Sequence, residues 1–147
     1  MIATGAEASD TDEYLYGKNP NVMRWHDIEQ HPEMLRDADS VVFIQCVGSR
    51  DENRPYCSRI CCTTSVSQAI GIKDRQPDTN VYILYRDMRT FGEREILYKE
   101  ARAKGVIFIR YSLNEKPMVS EGDDGLEVRV FDPILQRKVL IKADIIN

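Results

Sequence analysis

Four cysteines, Cys46, Cys57, Cys61 and Cys62, are the residues best equipped for chemistry in this chain, and it contains no others. Cysteine thiolates ligate soft metal ions and iron–sulfur clusters. Where a reducing compartment discourages disulfides, clustered cysteines read as metal ligands or redox groups. A helix starting near Cys57 would set Cys57 and Cys61 on one face, with Cys62 about 100° further round. Cys46 sits at the end of an apolar run of strand length, where a strand-to-helix crevice forms in parallel sheets. Structural zinc favours two separated Cys-x₂-Cys knuckles, a pattern absent here. Adjacent Cys61 and Cys62 would crowd one small tetrahedral ion, whereas a cluster spreads its irons and takes neighbouring thiolates more easily. The competing reading makes Cys61 and Cys62 small buried hydrophobes of a helix. Four cysteines in one short stretch favour the metal site.

The elements that must position these thiols follow from patterning. Residues 7–24 read as irregular, with an Asn19-Pro20-Asn21 turn signal. A short helix is predicted from Trp25 to about Ala38. Val41 to Val47 is a continuous apolar run, the pattern of a strand buried on both faces. A polar loop over 48–55 follows, then a helix from Cys57 to about Lys73. Val81 to Tyr85 is a second buried strand, and a helix from Phe91 to Lys104 ends at Gly105 in the C′ position. Val106 to Tyr111 is a third strand. Beyond it the pattern alternates around Met118-Val119, 126–131 and 138–141, as antiparallel strands do. Strands spaced by helices imply parallel pairing through right-handed crossovers. The expected fold is α/β: a Rossmann-like domain with a central parallel sheet and an antiparallel β-meander.

Composition excludes several classes. With 20 basic and 24 acidic residues the net charge is −4, which offers no basic face for nucleic acid or an anionic membrane. No apolar run approaches the roughly 18–20 residues of a membrane span. The opening residues lack the pattern of a secretory signal, so the expected location is cytoplasmic. The chain starts just before Ala3-Thr4-Gly5 and stops within 143–147, which reads as the opening of a further strand. The expectation is a piece of a longer polypeptide, truncated at both ends.

Other residues are weaker candidates. The turn after the first strand should carry Gly-x-Gly-x-x-Gly if it cradled a pyrophosphate, but it reads Gln45-Cys46-Val47-Gly48-Ser49-Arg50. The site is read as rebuilt from phosphate binding to metal binding. His26 and His31 are five apart and do not share a helical face. Arg86, Arg89, Arg94, Glu93 and Glu95 form a charged patch, read as a solvated face whose pairs contribute about 0–1 kcal/mol each.

The stretch 41–50, with Arg54-Pro55-Tyr56-Cys57-Ser58-Arg59-Ile60-Cys61-Cys62, closely resembles the flavoprotein subunit of CoB–CoM heterodisulfide reductase and its bacterial relatives, as does 82–95. The resemblance implies a thioredoxin-reductase-like flavoprotein, with residues 1–38 as the edge of its FAD domain and a linker. Residues 39–147 would be the NAD(P)-binding-type domain. It implies that Cys46, Cys57, Cys61 and Cys62 hold a [4Fe–4S] cluster near the flavin, and that Ala3, Thr4 and Gly5 line the FAD site. The implied function is electron relay between cluster and FAD within an oxidoreductase, the excised piece being inactive alone. Other reductase subunits and electron-donor proteins are the implied partners, with a homodimer as a further option. The rival readings are an NAD(P)H-dependent flavoprotein reductase domain and a zinc-stabilised interaction module.

Overall fold

A computed structural model describes residues 11–147. The strands are β1 (Ser40–Ile44), β2 (Asn80–Tyr85), β3 (Ile107–Arg110), β4 (Met118–Gly122), β5 (Gly125–Asp132), β6 (Arg137–Ala143) and β7 (Ile145–Ile146). The α-helices are α1 (Trp25–Gln30), α2 (Cys61–Arg75) and α3 (Glu95–Ala103). A four-stranded sheet runs β3-β2-β1-β7 and a three-stranded sheet runs β4-β5-β6. All pairings of the first sheet are parallel and those of the second antiparallel. Val22 adds a parallel bridge outside β7, opposite Ile146.

The strand alternation explains the layers. Val41 and Phe43 of β1, with Val81 and Ile83 of β2, join the core that includes Ile28, Leu35, Val66, Ala69 and Ile72. Val42, Ile44 and Leu84 point the other way, into a core with Leu126, Val128, Val130 and Ile141 of the antiparallel sheet. Successive side chains of a strand face opposite sides, so the parallel sheet is sealed by helices on one face and by the meander on the other. That is why β1 and β2 are apolar throughout rather than alternating. Each fully buried aliphatic or aromatic side chain contributes about 1.5–3 kcal/mol relative to exposure.

Several predicted boundaries move, each for a local reason. The first helix stops at Gln30 and a 3-10 turn, Pro32–Leu35, replaces its second half. Pro32 has no N–H for the helical ladder and its ring clashes with the preceding turn. β1 ends at Ile44, not Val47, because Cys46 takes a left-handed φ of +63° that a strand does not admit. α2 begins at Cys61 rather than Cys57, since Arg59, also left-handed at φ +63°, interrupts any helix through 57–60. A 3-10 turn over Gly92–Arg94 precedes α3, which starts at Glu95 instead of Phe91. Gly105 closes α3 with φ +85°, as expected of a C′ glycine. The strand expected to open near residue 143 is β7, which pairs with β1. Among the described residues no helix is long and apolar enough to cross a membrane.

Candidate metal centre

Cys46 and Cys57 lie in the segment joining β1 to α2, and Cys61 and Cys62 open α2, at the end of the parallel sheet where its strands finish. Gln45 continues from β1 and is buried, its N–H donating to Leu84 O at 2.9 Å. Its Nε2 donates to Ser65 Oγ of α2 at 2.7 Å, and the Tyr111 hydroxyl donates to its backbone carbonyl. These bonds fix the exit of β1 against the helix that carries Cys61 and Cys62. Cys46 (φ +63°), Gly48 (φ +57°) and Arg50 (φ +58°) then alternate through left-handed backbone. At Gly48 the demand is conformational, since an added Cβ would meet nothing closer than Arg54 Nη1 at 3.6 Å. The loop is tied down by Glu13 Oε1, which accepts from Gly48 N at 3.2 Å, and by Arg86 Nη1, which donates to the carbonyls of Ser49 at 3.3 Å and Arg50 at 2.8 Å.

All four cysteines are free thiols; Cys62 is buried and the other three are half-buried. Three sulfurs accept from nearby donors. Arg50 Nη1 lies 3.7 Å from Cys46 Sγ, Arg59 N lies 3.4 Å from Cys57 Sγ, and Ser58 Oγ lies 3.7 Å from Cys61 Sγ. The fourth, Cys62 Sγ, faces the Asp87 carbonyl at 3.8 Å. Cys61 and Cys62 occupy the first turn of α2, where the helix dipole favours negative charge. The Cys62 side chain donates to Cys61, which with the Ser58 hydroxyl pulls the Cys61 thiol down to about 6 against the cost of burial. The same donation, with burial, pushes Cys62 up. Burial pushes the Cys46 thiol up as well, and the Arg50 hydrogen bond opposes it. Cys46 is close enough to Cys62 to raise its charging cost, and is itself raised by Cys61.

Cys46, Cys61 and Cys62 thus form one electrostatic group, while Cys57 leaves the face predicted for it. It stands in the irregular segment before α2, held by its bond from the Arg59 amide. Among the described residues no three His, Cys, Asp or Glu side chains close on a single metal-ion position. Four thiols are a donor set of the kind an iron–sulfur cluster takes, and Cys46, Cys57, Cys61 and Cys62 are the residues that would hold one. Donors to sulfur from an amide, a hydroxyl and a guanidinium are the kind that tune such a group.

Other predicted residues resolve simply. Ala3, Thr4 and Gly5 lie outside the described residues. His31 Nδ1 is 3.2 Å from Glu33 Oε1 at the surface, and His26 Nε2 is 3.4 Å from Asp27 Oδ1. The charged patch is not merely solvated. Arg86 and its neighbour Asp87 brace the cysteine loop, a role that the neighbouring strand ends of a parallel sheet could have signalled.

No protein-family model matches the chain. It is 38% identical over 155 residues to a component of the H(2):CoB-CoM heterodisulfide,ferredoxin reductase of Methanothermobacter marburgensis, covering 92% of this chain and 23% of that one. It is 38% identical over 160 residues to the CoB–CoM heterodisulfide reductase iron-sulfur subunit of Methanocaldococcus jannaschii, covering 95% and 24%. The chain therefore spans about a quarter of the length of these relatives. An engineered water-forming NADPH oxidase bound to NADPH superposes with a TM-score of 0.51 at 12% identity, over 86% of this chain and 25% of that one. That likeness bears on the fold, which is Rossmann-like α/β.

Proposed function

From the homology of this chain to one segment of the heterodisulfide reductase iron-sulfur subunit, we propose that it is the electron-relay segment of an iron–sulfur flavoprotein. In this reading Cys46, Cys57, Cys61 and Cys62 hold a [4Fe–4S] cluster. Bound there, the cluster supplies one-electron redox chemistry, exchanged with an FAD carried mainly by the rest of the polypeptide. Residues 39–147 make up the unit and residues 1–38 are its approach from the flavin domain, with Ala3, Thr4 and Gly5 at the flavin's edge. Other reductase subunits and electron-donor proteins, or a second copy, complete the assembly in the cytoplasm.

The observation that supports this best is the set of donors aimed at sulfur from Arg50, Arg59 and Ser58. The chain's own contributions are clear. The first turn of α2 favours thiolate at Cys61 and Cys62. The left-handed loop turns Cys46 out of β1 toward them. The Gln45–Ser65 bond holds strand and helix at a fixed separation. The absence of paired Cys-x₂-Cys knuckles and the single glycine of the turn speak against the zinc module and the nicotinamide site respectively.

The test is iron and acid-labile sulfide in anaerobically purified full-length protein. The expected result is both, with visible iron–sulfur absorbance that Cys61→Ala abolishes. Neither iron nor sulfide in the parent protein would sink the reading, and stoichiometric zinc would replace it with the interaction module.

A further inference from the structure

Arg50 is an unusual residue to find at the bottom of a loop. Its side chain is only 13% exposed, and its backbone is left-handed at φ +58°. One arm of the guanidinium, Nη1, donates to Cys46 Sγ at 3.7 Å, and the other, Nη2, donates to the Asp87 carboxylate. A second arginine, Arg86, holds the Ser49 and Arg50 carbonyls at 3.3 and 2.8 Å. The segment leaving β2 therefore fixes Arg50 twice, by its backbone through Arg86 and by its side chain through Asp87. Asp87 also receives Arg110 Nη2 at 3.2 Å, and its own carbonyl faces Cys62 Sγ at 3.8 Å. A guanidinium keeps its charge at every accessible pH. Held mostly away from water, that charge acts on the sulfur with less screening than a surface cation would.

We propose that Arg50, anchored by Asp87, sets the reduction potential of the cluster held at the four cysteines, raising it. This rests on the reading of those cysteines as cluster ligands. Reduction adds one electron, and so one negative charge, to the site. A fixed cation beside a ligand sulfur stabilises the reduced form more than the oxidised one. The Asp87 carboxylate keeps Arg50 in place and offsets part of its charge. Arg50 is a positioning residue in this scheme: it acts on the group through Cys46.

The experiment is an anaerobic potentiometric titration of the full-length protein with dithionite, followed by electron paramagnetic resonance. Iron and sulfide are counted first in every variant. Their absence from the parent protein overturns both this inference and the function it rests on, whereas the following outcomes bear on Arg50 alone. Arg50→Gln is expected to lower the midpoint by roughly a tenfold change in the reduced-to-oxidised ratio, about 59 mV for a one-electron couple. Arg50→Lys should fall between Arg50→Gln and the parent, because the charge stays and the two-armed fork is lost. Arg110→Gln should leave the midpoint alone, its side chain being 64% exposed and bonded to Asp87 and the Arg86 carbonyl. An unchanged or raised midpoint in Arg50→Gln overturns the proposal, as does an equal drop in Arg110→Gln. If Arg50→Gln does not retain iron, Asp87→Asn decides. Asparagine keeps an acceptor oxygen for the Arg50 guanidinium while removing the offsetting charge, so the midpoint should rise, and a null or negative shift overturns the inference. Opposite signs at Arg50 and Asp87 are an outcome that loosened packing does not produce.

Discussion

The two crossovers of the parallel sheet are built from the same parts and finished differently. β1 and β2 are both apolar on both faces, lie in register from Ser40↔Asn80 to Ile44↔Leu84, and each passes into a helix on the same side. The first crossover, residues 45–60, is long and carries left-handed backbone at Cys46, Gly48, Arg50 and Arg59. The second, residues 86–94, is shorter and left-handed only at Gly92. Burial accounts for the strands and helices of both. It does not account for three non-glycine residues in a conformation that costs L-amino acids roughly 1–2 kcal/mol each. Such strain persists where surrounding bonds over-determine it, and here those bonds converge on sulfur. Arg86 and Asp87, supplied by the plainer crossover, do much of the holding.

If the strands are equivalent scaffolds, truncating either should cost about the same. Phe43→Ala in β1 and Ile83→Ala in β2, both fully buried, are expected to lose about 3–5 and about 2–5 kcal/mol respectively in urea unfolding. A loss confined to one strand would break the equivalence. Ser65→Ala addresses the join between β1 and α2. It leaves Gln45 Nε2 without its acceptor in a residue whose Oε1 already lacks a partner, at a cost of about 1–3 kcal/mol, read in the same urea titration. Gly48→Ala and Gly92→Ala sharpen the contrast between the loops. Both meet open space or ordinary contact distance, so each should cost about 1–2 kcal/mol from φ alone. Only Gly48→Ala should also lower the iron retained by the full-length protein; equal retention would separate the strain from the cysteines. The smallest effect is on the acid side. Arg50 holds the Asp87 carboxyl below its ordinary value of 3.8. A lowered folded value stabilises the protein fully above pH 3.8, and that contribution is lost as pH falls through the folded value. Asp87→Asn should therefore flatten the acid limb of thermal melts slightly, less so in high salt, because Asp87 is partly exposed.

The same contrast marks what could be read from the residues in order. The order of strands and helices, the meander and the strand at Ile145 were legible, because apolar spacing reports which faces are buried. The beginnings of α2 and α3 were not. Helix starts depend on where particular N–H groups find partners, and the left-handed turn at Arg59 leaves no trace in composition. Cys57 was assigned to a helical face for that reason. The grouping of Cys46 with Cys61 and Cys62 was foreseeable from a strand end facing a helix start. The bracing by Arg86 and Asp87 was signalled only indirectly, by the parallel pairing that sets the ends of two strands distant along the chain side by side, Ser40 beside Asn80.

The pairing of β7 with β1 joins Val41 to Ile145, and Asp144 Oδ2 accepts from the amides of Asp39 at 2.8 Å and Ser40 at 2.9 Å. In folding terms this is the longest loop closure among the paired strands of the sheet, and contacts so distant along the chain are made slowly. The antiparallel hairpins between them, with near neighbours in sequence, form without waiting. During synthesis, β1 therefore faces a bare edge on the β7 side until Ile145 and Ile146 emerge, a stretch of time in which a stray strand could pair there instead. β7 is also the latch that closes that window.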